Sequence, residues 1–176
     1  MANRAALREL QTRLATRLQD TGAEGVLVSW LAVRAGGQNY LFPLVQSGEI
    51  FPLGNLQRVP YCQSWFQGVL NLRGGLFGVV DLAGFLNGGK VPARSEMAMS
   101  EASVVTLHPA LEVNCALMVD SLAGLRNADA FPQSLPPEEG APIYFGNRYT
   151  DSQGGHWQEI NLQSLSQFSP FLSIST

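Results

Sequence analysis

The stretch Gly68-Val69-Leu70-Asn71-Leu72-Arg73-Gly74-Gly75-Leu76-Phe77-Gly78-Val79-Val80-Asp81-Leu82 decides how the chain is read. An apolar run enters Gly74-Gly75 and a second apolar run leaves it. That is the pattern of a tight β-hairpin, because glycine adopts the positive φ angles such turns need. Residues 69–72 read as one strand and residues 76–80 as the next. Asp81 follows, placed so that its carboxylate accepts the free first-turn amides of a short helix over 82–86. Asn87-Gly88-Gly89 ends that helix. Arg73 is the one cation on an otherwise apolar frame. A guanidinium presented this way can grip a carboxylate through two hydrogen bonds; the alternative is a surface arginine that only keeps the hairpin soluble. Glu49 and Asp81 are the nearest acids in sequence, and either can pair with it.

Outward from the hairpin, other short apolar runs alternate with turns. Residues 26–33, centred on Trp30, form an almost continuous apolar run too short for a typical helix, and read as a buried strand. Ala35-Gly36-Gly37-Gln38-Asn39 is a turn, and 40–42 returns as a strand that Pro43 ends or confines to an edge. Residues 102–107 and 113–119 are strands. The phrase around Val119-Asp120 echoes Val80-Asp81: an apolar strand, Val-Asp, then a short Leu-Ala-Gly element, which suggests two similar sub-barrels. Residues 88–101 mix Gly, Pro, Ser and charge without an apolar period and read as an exposed linker. Residues 131–142 are a proline-rich loop, 143–149 and 156–160 are late strands, and Asn161 caps a last short helix through Phe168. Short strands, glycine turns and few helices predict an all-β barrel architecture. Residues 4–20 are the exception. Leu7, Leu10, Leu14 and Leu18 build one helical stripe, and Arg4, Arg8, Arg13 and Arg17 another. Such a helix binds a membrane surface or an acidic partner, or packs its stripe on the following domain; Glu9 and Asp20 dilute the positive face and favour packing.

Composition removes several function classes. The 176 residues are 45% hydrophobic and only 14% charged, with a net charge of −3 and one lysine, Lys90. Sequence-independent nucleic-acid binding needs a basic stripe that this balance does not supply. No apolar run approaches membrane-span length, and no apolar segment follows the N-terminal arginines as in a signal peptide, so a cytoplasmic protein is expected. The low charge implies a surface rich in neutral side chains, suited to contacts with other proteins. Cys62 and Cys115 lack a CxxC partner and read as reduced thiols. Paired with His108 or His156, either thiol would make a nucleophile and base, which leaves a Cys/His-dependent hydrolase as an alternative. A small-molecule-binding β-barrel module is another. His108, beside Pro109, is expected to face solvent. No metal-ligand spacing and no phosphate-binding glycine loop is present, and Glu138-Glu139 reads as a solvated patch, so no catalytic residue, metal or cofactor is expected.

The run Gly68 to Gly74, followed by Val79-Val80-Asp81-Leu82, resembles the signature of CheW-like coupling domains. Residues 40–44, Val45 with Glu49-Ile50, Pro60, Trp65-Phe66 and Leu117-Met118-Val119-Asp120 are similar to further phrases of that family, so the resemblance spans residues 28–168. It implies a fold of two small five-stranded, SH3-like β-barrels around a shared hydrophobic core, with an N-terminal helix and short connecting helices. On this reading residues 1–24 are the helix and 25–176 the domain, its two sub-barrels dividing around 88–101. The resemblance further implies a non-enzymatic adaptor, cytoplasmic at membrane-bound arrays, that couples the cytoplasmic tip of methyl-accepting chemoreceptors to a CheA-type histidine kinase. Its association with membrane is then indirect. Arg73, Asn71, Gly74, Val45 and Glu49 would form the receptor contact, while Gly68, Gly75, Asp81 and Asp120 belong to the structural motif. The kinase regulatory domain, itself CheW-like, would bind barrel edges and loops. Two departures stand out: Gly78 where the family usually has Pro, and Ser47-Gly48 inserted before Glu49. The N-terminal helix and the phrase from Trp30 through Gly36-Gly37-Gln38 are similar to the PilI branch, which serves type IV pilus chemosensory systems and implies control of twitching motility.

Overall fold

Alternation along the strands builds the architecture. In β1 (Ser29–Ala35), Leu31, Val33 and Ala35 face one hydrophobic cluster while Trp30 and Ala32 face another. Successive side chains of a strand point to opposite faces, so a continuous apolar run marks a strand covered on both. The same division holds for β2 (Gln38–Pro43), with Tyr40 and Phe42 against Leu41, and for β7 (Cys115–Val119), with Cys115, Leu117 and Val119 against Ala116 and Met118. Each sheet thus has a cluster of its own and contributes to one large shared cluster.

The computed structural model describes residues 5–13 and 29–176. The remaining strands are β3 (Ser47–Pro52), β4 (Phe66–Leu72), β5 (Gly75–Asp81), β6 (Ser103–Leu107), β8 (Ser121–Asn127), β9 (Gln133–Leu135), β10 (Phe145–Thr150) and β11 (His156–Ile160). They form a six-stranded sheet in the order β8-β1-β2-β11-β10-β9 and a five-stranded sheet in the order β3-β6-β7-β5-β4. Most pairings are antiparallel; β2 with β11 and β5 with β7 are parallel. The all-β, two-sheet architecture agrees with expectation. The strand beyond five is β9, a three-residue edge inside the proline-rich segment that reads as loop.

Four local readings are corrected. The hairpin turn is Arg73-Gly74, at φ 50° and 80°, and Gly75 already pairs with Leu72 inside the ladder. The Gly36-Gly37 turn is likewise two residues, at φ 58° and 76°, with Ala35 and Gln38 paired to each other. Residues 121–124 open strand β8 rather than repeating the helix Leu82–Leu86. Within 88–101, Glu96–Glu101 is a helix capped by Ser95, whose Oγ accepts from the Ala98 amide at 3.1 Å. Asn161 caps Leu162–Ser166 as expected, and a further turn of helix, Ser169–Leu172, follows.

The N-terminal segment is helical over residues 5–13. Leu7 is buried in the shared cluster, and Gln11 donates from Nε2 to the Ile50 carbonyl at 2.6 Å. This part of the leucine stripe packs on the domain beside β3, an edge strand among the described residues. Leu14, Leu18, Arg4 and Arg17, and residues 26–28 of the expected first strand, lie outside the described residues.

Candidate functional site: the tip of the β4–β5 hairpin

The β4–β5 ladder runs from Phe66 opposite Val80 to Leu72 opposite Gly75, and projects the turn beyond the sheet. Gly68 roots it. At φ 135° its backbone suits glycine, and a Cβ there would collide with the Gln57 carbonyl. That close approach lets Gln57 and Val69 exchange hydrogen bonds of 3.0 and 2.9 Å, covering the outer edge of β4. At the tip, Asn71 Oδ1 accepts from the Gly74 amide at 3.1 Å, which closes the turn.

Arg73 therefore stands on a fixed base. Of the two acids near it in sequence it pairs with Glu49, Nη1 to Oε1 at 3.0 Å, and its guanidinium lies 5.8 Å from the centre of the Phe51 ring. Both partners are substantially exposed, 68% for Arg73 and 47% for Glu49. Such a pair contributes about 0–1 kcal/mol to stability, so its charges are open to exchange with a partner. The pair borders a groove of about 340 Å³ floored by Phe51, Leu72, Phe77, Leu107 and Val113, with half-buried His108 at its side. Val45, 71% exposed, lies just before β3, and Leu76, 61% exposed, just after the turn. The structure thus brings together Arg73, Glu49, Asn71 and Gly74; Gly48, inserted before Glu49, lies against β6, where a Cβ would strike Thr106.

Asp81 and Asp120 belong elsewhere. Asp81 is fully buried at the end of β5, where its Oδ1 caps the helix Leu82–Leu86 by accepting from Gly84. Its charge is met by Arg94, which also reaches Asp120. Arg94 lies in the segment that reads as linker. The Val-Asp phrases signal only that a carboxylate buried at a strand end needs a counter-charge; they do not say which cation supplies it.

The thiols lie apart from this groove and from hydrolytic chemistry. Burial pushes the Cys115 thiol up to about 12, and its S–H donates to the Ala116 carbonyl. Cys62 donates to the Pro60 carbonyl. His108 Nδ1 accepts from the Ala110 amide, and His156 contacts Thr150 Oγ1 at 3.4 Å. Among the described residues neither imidazole is hydrogen-bonded to a thiol, although a nucleophile needs its base within hydrogen-bond reach. Among the described residues, no helix is long and apolar enough to cross a membrane.

Comparisons with known proteins agree with this architecture. The CheW-like domain family matches residues 29–166. The chain is 29% identical over 153 residues to the protein PilI of Pseudomonas aeruginosa, covering 84% of this chain and 81% of that protein. Its fold resembles that of the scaffolding protein TtCheW from Thermoanaerobacter tengcongensis, with a TM-score of 0.61 and 13% identity over 77% of this chain and 89% of that one. Matched from β1 through the helix that Asn161 caps, the chain belongs to the CheW-like domain family.

Proposed function

We propose that this scaffold couples a methyl-accepting chemoreceptor to a CheA-type histidine kinase, with the receptor tip docking on the groove beside Arg73. The observation that supports this most is the exposed Arg73–Glu49 pair at the rim of an apolar groove, on a hairpin whose root and turn are both fixed. A helical receptor tip fits such a site: apolar side chains enter the groove, and a carboxylate of the receptor takes the place of Glu49 on the guanidinium. Val45 and Leu76 are exposed apolar side chains close in sequence to Glu49 and Arg73, and add candidate apolar contacts. The kinase regulatory domain binds other edges and loops, so both partners are held at once. The similarity to PilI over most of both chains favours a type IV pilus output and hence twitching motility. On this reading residues 25–176 are the coupling domain, and the protein works in the cytoplasm at receptor arrays.

Affinity purification of the full chain from its own cells, with mass spectrometry of the eluate, tests the assignment. Recovery of both a histidine kinase and a methyl-accepting receptor is expected. An eluate holding neither would overturn it.

A further inference from the structure

Arg94 is a charged residue almost withdrawn from solvent, its side chain 7% exposed. All three guanidinium nitrogens are engaged. Nη1 and Nη2 donate to the two oxygens of Asp81 at 2.5 and 3.1 Å, and Nε donates to Asp120 Oδ1 at 2.6 Å. The two carboxylates sit at the joint between the sheets. Asp81 ends β5 of the five-stranded sheet and caps the helix after it. Asp120 is the single residue between β7, in that same sheet, and β8, in the other. Its Oδ2 accepts from the Gly36 amide in the β1–β2 turn at 2.7 Å, and its own amide donates to the Arg34 carbonyl at 2.8 Å. The turn and the helix already touch here, since a Cβ on Gly36 would lie 2.8 Å from that of Ala83.

We propose that Arg94 is a positioning residue that locks the two sheets at one angle, linking Asp81 on one side of the joint to Asp120 and the β1–β2 turn on the other. The chemistry requires arginine. Its planar fork spans one carboxylate with two nitrogens and still offers Nε to a second, whereas a lysine ammonium is a point charge that cannot reproduce both contacts. Burial works against the charged guanidinium, but the hydrogen bonds to Asp81 and Asp120 outweigh it and raise its pKa. Without the cation, the fully buried Asp81 loses its counter-charge, a loss far costlier than that of a surface pair, while Asp120, 35% exposed, keeps some contact with water. The lock rests on this geometry; its consequence, that receptor and kinase faces keep a set relation, rests on the coupling function proposed above.

Amide hydrogen exchange on the isolated full chain, read residue by residue by NMR, tests the lock without any partner. The reporters are Gly36, held by Asp120, and Gly84, held by Asp81. R94K should speed exchange at both amides together, by about tenfold or more, while Leu31 and Val79 in the sheet interiors stay protected. Asp120→Asn preserves shape and should still accelerate Gly84 across the joint while Arg94 is in place, and have no further effect on Gly84 when combined with R94K. A D120N variant in which Gly84 exchanges as in the wild type overturns the lock, as does an R94K variant in which only one reporter moves.

Discussion

Arg73 occupies a backbone conformation that costs a non-glycine residue about 1–2 kcal/mol, at φ 50° in the first turn position. Its ion pair with Glu49 is too exposed to offset that fully. Stability alone would favour glycine here. We therefore expect Arg73→Gly to leave unfolding free energy unchanged or raised by up to about 1 kcal/mol, as read by urea titration, while receptor binding is lost. A clear drop in stability would show that the arginine serves the fold. Cys115 gives a second prediction at this scale. Its thiol is raised from 9.0 to about 12 in the folded state, so protonation favours the native protein. The associated stability is complete below pH 9 and is lost as pH climbs toward about 12. At pH 8 iodoacetamide should modify Cys62 and leave Cys115 untouched until the chain is unfolded; rapid alkylation of native Cys115 would contradict its burial. Side-chain chemistry is the least legible part of the sequence. That Arg73 pairs with Glu49, and not Asp81, depends on β3 and the hairpin meeting in space, and that Asp81 claims Arg94 depends on a chain crossing no spacing rule registers.

At the scale of elements, the hairpin was legible as a hairpin but not in its register. Two adjacent glycines suggest a turn at both, yet Arg73-Gly74 turns while Gly75 pairs, because Asn71 closes the loop one residue earlier than glycine preference indicates. The helix Glu96–Glu101 was not legible: it is a single short amphipathic piece, and its Met99 only partly covers the outer cluster of the five-stranded sheet. Gly78, which replaces the proline usual in the resembling family, has a local reason. A Cβ there would lie 2.9 Å from the ring of Phe66 on the paired strand, and the Gly78 amide donates to the Asn114 carbonyl at 3.0 Å, a bond proline lacks. Gly78→Ala is therefore expected to cost about 1–3 kcal/mol by overpacking. Combined with Phe66→Leu, most of that cost should disappear, giving a favourable coupling in a double-mutant cycle by thermal or denaturant unfolding. Strictly additive effects would show that the ring is not what reserves this position for glycine.

For the whole molecule, the apolar run at 26–33 reads as a buried strand and those at 102–107 and 113–119 as strands, and the structure shows why they are so apolar: one shared cluster lies between the sheets and each sheet has its own. Which strands belong to which sheet was hidden, since β1 and β2 from the N-terminal half join β8 to β11 from the C-terminal half. Such an arrangement suits a scaffold, because the sheets are covered inside and offer their tips and edges outward. The coupling proposal assigns the Arg73 tip to the receptor and a different surface to the kinase. The two affinities should then respond separately to a charge reversal at the tip. The decisive measurement is calorimetric titration of the wild type and Arg73→Glu against a receptor cytoplasmic tip and, in parallel, against the kinase regulatory domain. The account predicts that Arg73→Glu weakens receptor binding by at least about tenfold, with kinase affinity unchanged; receptor binding equal to the wild type, or equal losses toward both partners, would contradict it.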